Sequence, residues 1–194
     1  MMIDDTDLAR AQEYALLANL LARSPNDGML ARIALLRDDA NELGLAHAEL
    51  AESAAKTTAE VVSREYFDLF GGLGKSGLLP YASYYVADSL YGRPLSRLRE
   101  TLQRLGIARS DTNTEPEDHV ATFCEIMASM ANGDVEVPSA FHRRFFEEQV
   151  APWIRRFFLD LEKSPAANFY ARVGMVGRIF IDIEVKAFKL SEGF

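Results

Sequence analysis

Apolar residues return every three or four positions along almost the whole chain, and no stretch sustains the strict alternation of a half-buried strand between hairpin turn pairs. The pattern predicts an all-α fold, a compact bundle of about nine to eleven helices. A first helix is expected from about Asp7 to Arg23, with Thr6 as N-cap and Leu8, Ala11, Ala15 and Ala18 on one stripe widened by Tyr14, Leu17 and Leu21. Ser24-Pro25 ends it, and Pro25 suits the first position of a short second helix that buries Met29, Leu30, Ile33 and Leu36. After Gly44 and an alanine-rich stretch, Thr57 to Phe70 turns Val61, Val62, Tyr66, Leu69 and Phe70 to one side and halts at Gly71-Gly72. Gly71 to Pro80 has no period and reads as loop. A tyrosine-rich helix entry comes next, from Pro80 to Tyr91-Gly92, and Pro94 opens a helix carrying Leu95, Leu98, Leu102 and Leu105.

Arg109 to Glu115 is entirely polar, so a hinge is expected at about 107–115 between two helical halves of what otherwise reads as one domain over 1–194. Such a hinge allows two chains to exchange halves and form a homodimer. Beyond it, Val120, Phe123, Met127 and Met130 line one helix face. Pro138 and Pro152 each begin a further helix, the first burying Phe141, Phe145 and Phe146, the second Ile154, Phe157, Phe158 and Leu161. The last helix, about Ala167 to Leu190, is apolar nearly all round, with Gly174 and Gly177 permitting close approach of a neighbour.

Composition narrows the class. With 194 residues, 48% hydrophobic and 26% charged, the chain can bury a sizeable core, which excludes disorder and small stapled scaffolds. The single cysteine, Cys124, excludes an internal disulfide and a thiolate metal site, and fits a reducing cytoplasm. The start, Met1-Met2-Ile3-Asp4-Asp5, is acidic where a signal peptide is basic, and no apolar run approaches the roughly 20 residues that span a bilayer. A net charge of −8 disfavours nucleic acid and favours basic partners. The Arg143-Arg144 and Arg155-Arg156 pairs read as solvated helix faces.

Few residues offer chemistry. Gly74-Lys75-Ser76 copies the tail of a phosphate-binding loop, which would suit a small helical nucleotide-binding protein or hydrolase. The leading glycine would fall at Leu69, however, a helix precedes it where a strand is required, and Pro80 interrupts the helix that should come after it. Tyr81, Tyr84, Tyr85 and Tyr91 form a recognition surface or packing, with Tyr81 and Tyr85 expected at least half buried. In Thr114-Glu115-Pro116-Glu117-Asp118-His119, Thr114 and Glu117 read as a capping box. Asp118 is expected on the polar side of its helix with Thr122 and Glu125, accessible to a cation, and His119 at the apolar margin near Phe123. An Asp-His couple lacks a nucleophile here. The three histidines, His47, His119 and His142, are isolated, so no metal site is expected, and His47 and His142 read as surface residues.

Taken in order, Glu65-Tyr66-Phe67-Asp68-Leu69-Phe70-Gly71, Pro80-Tyr81-Ala82-Ser83-Tyr84-Tyr85, Leu90-Tyr91-Gly92, Glu115-Pro116-Glu117-Asp118-His119 and Ala151-Pro152-Trp153 resemble the TorD/DmsD family of cytoplasmic chaperones for molybdenum-containing oxidoreductases. The resemblance covers about Ala11 to Glu184. It implies an all-helical fold, no catalysis and no cofactor, and a partner that is a molybdopterin oxidoreductase apoenzyme, often with its twin-arginine leader. It places the client-binding region on Tyr66, Leu69, Phe70 and Gly71, on Pro80, Tyr81, Ser83 and Tyr85, and on Glu115, Pro116, Asp118 and His119. An acidic protein with an aromatic groove suits a leader that carries two arginines and an apolar stretch.

Overall fold

A computed structural model describes residues 4–36, 40–71, 78–87, 92–107 and 116–190. Among the described residues ten α-helices succeed one another: α1 (Asp5–Ala22), α2 (Asp27–Ile33), α3 (Glu42–Ala55), α4 (Ala59–Phe70), α5 (Ala82–Ala87), α6 (Arg93–Arg104), α7 (Val120–Ala131), α8 (Ser139–Phe145), α9 (Ile154–Lys163) and α10 (Phe169–Leu190). A π-helical turn, Phe146–Val150, continues α8. No strand occurs among the described residues, so the all-α expectation holds.

The chain forms two compact units, each built from two separate stretches: Met1–Ala22 with Pro80–Ile154, and Arg23–Leu79 with Arg155–Phe194. The segment 107–115 falls within the span of the first unit, and its residues 108–115 lie outside the described ones.

In the first unit α1 packs along α7. Tyr14, Leu17 and Leu21 of α1 and Val120, Phe123, Cys124 and Met127 of α7 are almost wholly buried, each large side chain contributing about 1.5–3 kcal/mol. Asp4, not Thr6, caps α1, its Oδ1 accepting the Asp7 N–H at 2.8 Å. Leu8, assigned to the buried stripe, is 44% exposed because it lies in the first turn, ahead of that stripe. In α8 and the π-turn, His142, Phe145, Phe146 and Val150 are buried. His142, expected at the surface, is enclosed because it stands three and four positions ahead of Phe145 and Phe146 and shares their buried helix face.

In the second unit α3 runs against α10, with α2 packed on α3 and α4 on α10. The second helix starts at Asp27 with Asn26 as its cap, accepting the Met29 N–H at 2.9 Å, so Pro25 stands outside it. Val61 is 53% exposed and does not join the buried face of α4. The two glycines of α10 meet α9 as expected. A Cβ on Gly174 would lie 2.5 Å from the Glu162 nitrogen, and one on Gly177 would lie 2.3 Å from the Phe158 ring. Paired charges run beside this contact: Arg178 reaches Glu162 at 2.5 and 3.2 Å, and Arg155 reaches Asp182 at 2.6 and 3.1 Å.

Candidate functional site

Two motifs separated by some 35 residues meet in the first unit. The Ala82 N–H donates to the Asp118 carbonyl at 2.9 Å and the Val120 N–H to the Pro80 carbonyl at 2.8 Å, forming an isolated antiparallel bridge between Tyr81 and His119. Asp118 adds a side-chain rung, its Oδ2 accepting the Ser83 N–H at 2.9 Å at the start of α5. The Pro80-Tyr81-Ala82-Ser83 segment and Pro116-Glu117-Asp118-His119 are thereby clasped along their backbones.

This arrangement corrects the placement of Asp118. Because α7 begins only at Val120, Asp118 is not on a helix and does not share a polar face with Thr122 and Glu125. It is 1% exposed, closed over by the segment it holds, and Ser83 beside it is 0% exposed. The capping box fails for the same reason. His119 itself caps α7, its Nδ1 accepting the Ala121 N–H at 3.2 Å. Glu117 instead forms a two-pronged pair with Arg99 of α6 at 3.0 and 2.9 Å. Thr114 and Glu115 lie outside the described residues, as do Tyr91 and Gly74-Lys75-Ser76.

An imidazole that accepts at Nδ1 carries its proton on Nε2 when neutral, and so does not present Nδ1 as a base to an incoming group. Its ring stands edge-on to Tyr81 at 5.4 Å. Tyr81 and Tyr85 are both more than half buried, as expected. Tyr85 packs against Tyr84 at 5.3 Å and Trp153 at 5.9 Å, and Trp153 in turn meets Phe123 at 5.3 Å while its Nε1–H donates to the Gln149 carbonyl at 2.9 Å. The tryptophan of Ala151-Pro152-Trp153 therefore anchors the tyrosine helix to the core. Pro80 is buried, and Pro116, Glu117 and His119 are partly exposed around the clasp.

The remaining predicted residues lie in the second unit. Leu69 is buried at 2% exposure. Tyr66 and Phe70 are half-buried and form a ring cluster with the enclosed Tyr170, at centroid distances of 5.0 Å between them and 5.7 and 5.6 Å to Tyr170. Burial, with the nearby Tyr66 and Glu65, pushes the Tyr170 phenol well above its usual range. Gly71 ends α4, and a Cβ there would lie 2.5 Å from the Phe67 carbonyl oxygen.

The residue that sequence reasoning missed is Glu65. From α4 its Oε1 accepts the N–H groups of Asn168 and Tyr170, both at 2.7 Å, and its Oε2 that of Phe169 at 3.1 Å, so it caps α10. It opens the Glu65-Tyr66 motif, but a partner more than 100 positions away leaves no local signal. Glu65, Glu49, Glu52, Lys56 and Arg172 also line an open groove of about 750 Å³, in which Glu49 pairs with Arg172 at 3.1 Å and Glu52 with Lys56.

A family model described as nitrate reductase delta subunit matches residues 36–159, well over half of the chain and inclusive of the Glu65-Tyr66, Pro80-Tyr81, Asp118-His119 and Pro152-Trp153 motifs. The chain belongs to this family, the TorD/DmsD group. Among curated TorD/DmsD relatives, a chaperone protein TorD of Aliivibrio fischeri is 29% identical over 135 residues, 64% of this chain and 63% of the relative. One from Aliivibrio salmonicida is 28% identical over the same coverage. The chain thus spans a little under two thirds of the length of the curated relatives it matches. A solved structure described as a redox enzyme maturation protein from Archaeoglobus fulgidus shares the fold, with a TM-score of 0.59, 23% identity, and 88% of this chain and 93% of that one covered. The Pro80-Tyr81, Asp118-His119 and Glu65-Tyr66 motifs, all within the matched span, are sites of tertiary hydrogen bonding in this chain.

Proposed function

We propose that this chain is a chaperone that binds the apo form, the twin-arginine leader, or both, of a molybdopterin-dependent oxidoreductase in the cytoplasm and holds it for cofactor insertion, without catalysing a reaction itself. The observation that carries the reading is the clasp. It commits Asp118 Oδ2 to the Ser83 N–H and His119 Nδ1 to the Ala121 N–H, both inside the fold, and leaves Tyr81, Pro116 and His119 partly exposed around the junction. Tyrosine and histidine edges with a proline are suited to contacting a peptide rather than transforming a small molecule. Two further facts support it: curated relatives are named chaperone protein TorD, and the net charge of −8 favours a cationic partner. Among the described residues, no helix is long and apolar enough to cross a membrane.

The test is calorimetric titration with a synthetic twin-arginine leader of the molybdopterin oxidoreductase encoded nearest this gene, together with co-purification of its apoenzyme. Saturable binding of either, weakened when both leader arginines are replaced by glutamine, is expected. Absence of binding to both would refute the reading.

A further inference from the structure

We infer that Asp118 serves client binding as a positioning residue, acting through the segment it clasps and not by touching the client; this rests on the function proposed above. An acidic residue at the heart of the candidate site of a chain that favours basic partners invites the opposite view, in which its carboxylate pairs with a client arginine. The geometry argues against that. A carboxylate that receives a guanidinium needs an open approach and a free lone pair at the surface. Asp118 is 1% exposed, and the oxygen that is hydrogen-bonded is bound to the Ser83 N–H, inside the fold.

What the carboxylate controls is the outer face of the clasp. Ser83 is the second residue of α5, and Tyr81, just ahead of that helix, faces His119 across the bridge, edge-on at 5.4 Å. Holding the Ser83 amide fixes where α5 starts, and with the two backbone bonds at Ala82 and Val120 it fixes the relative placement of the Tyr81 and His119 rings. Pre-setting those rings removes the ordering cost that a client would otherwise meet on binding.

Asp118 Oδ1 and Ser83 Oγ are both buried without a hydrogen-bond partner, on the two residues that the Oδ2 contact joins. What the Ser83 N–H requires at this position is an acceptor oxygen, which an uncharged amide also offers. An asparagine at 118 keeps one oxygen to accept the Ser83 N–H and supplies an amide N–H₂ in place of the partnerless Oδ1. An alanine removes the acceptor and strands the Ser83 N–H. A charge-contact role and a positioning role thus predict opposite behaviour for the same isosteric change.

The experiment compares wild type, Asp118→Asn and Asp118→Ala, titrated with the same twin-arginine leader peptide. Amide hydrogen exchange at Ser83 and Val120 is measured on each protein without peptide. Expected are an affinity within about twofold of wild type for D118N, with both amides protected, and a loss of at least tenfold for D118A, with faster exchange at Ser83. A tenfold loss in D118N with its amide protection intact would overturn the inference in favour of a direct charge contact. So would undiminished affinity in D118A despite a deprotected Ser83 amide. Should D118A not fold, D118N alone decides between the two roles. No binding by the wild-type chain would overturn the proposed function itself, an outcome distinct from a loss confined to D118N.

Discussion

Replacing Glu65 by alanine should destabilise the chain well beyond what its partly exposed side chain would suggest. Its carboxylate satisfies three of the four N-terminal amide donors that α10 cannot satisfy within itself. Asn168 is exposed, so its N–H returns to water at little cost, whereas Phe169 and Tyr170 are buried and their amides lose partners that water replaces poorly. Two such losses at about 1–1.5 kcal/mol each, with roughly 0.5 kcal/mol for the anion at the positive end of the helix, sum to about 3 kcal/mol. For a chain of this length that corresponds to a fall in Tm of about 10 °C. Glu65→Gln keeps an acceptor oxygen but drops the charge, and should cost about 1 kcal/mol. Thermal and urea unfolding tracked by circular dichroism at 222 nm would measure both. If E65A lies within about 0.5 kcal/mol of wild type, the cap contributes no stability; if E65Q equals E65A, the effect is purely electrostatic and the hydrogen-bond reasoning fails.

Other expectations come from buried groups and close contacts. His142 is held neutral, its pKa lowered to about 4 by burial and then by the Arg10 charge, so between pH 6.5 and 4 the unfolded chain binds a proton that the folded chain refuses. Its contribution to stability is intact above pH 6.5 and falls away as pH drops towards 4, by up to about 3 kcal/mol; urea midpoints of wild type and His142→Met across that range should converge in slope if this is wrong. Gly177→Ala should cost about 2 kcal/mol despite the better helix propensity of alanine, and Gly174→Ala more, because its Cβ would strike backbone of α9 where Gly177 faces a ring. Equal or stabilising effects in thermal melts would contradict the close approach. Burial pushes the Cys124 thiol well above its usual range, so a thiol-reactive disulfide dye should label it only after unfolding; rapid labelling of the native protein would place that thiol at the surface.

Much of the helical plan was legible because it depends on local spacing. Val120, Phe123, Met127 and Met130 are buried together as their three- and four-residue spacing requires, and Gly174 and Gly177 mark the approach of another helix. The candidate site was legible only as a set of words. Asp118 reads as lying on a polar helix face only if the helix starts directly after Thr114, whereas α7 starts at Val120 and the backbone ahead of it is committed to Pro80 and Ala82. The burial of His142 is legible in the same spacing, three and four positions ahead of Phe145 and Phe146, and is missed only when its polarity is read ahead of its place on the helix. The role of Glu65 is set by pairing across 103 to 105 positions, which no window of sequence spans.

The interleaving of the two units has a consequence for synthesis. α1 has its main partner in α7, so its buried residues wait for almost a hundred further residues to be made, on the order of 5–20 s at ordinary elongation rates. α3 waits longer, for α10. Neither unit is encoded by a contiguous stretch: the first closes only once Ile154 has emerged, and the second only with the stretch that follows Arg155. A nascent chain of this protein is thus itself a polypeptide with exposed apolar helices until translation is nearly over, and a premature stop anywhere before α8 would leave not one folded half but none.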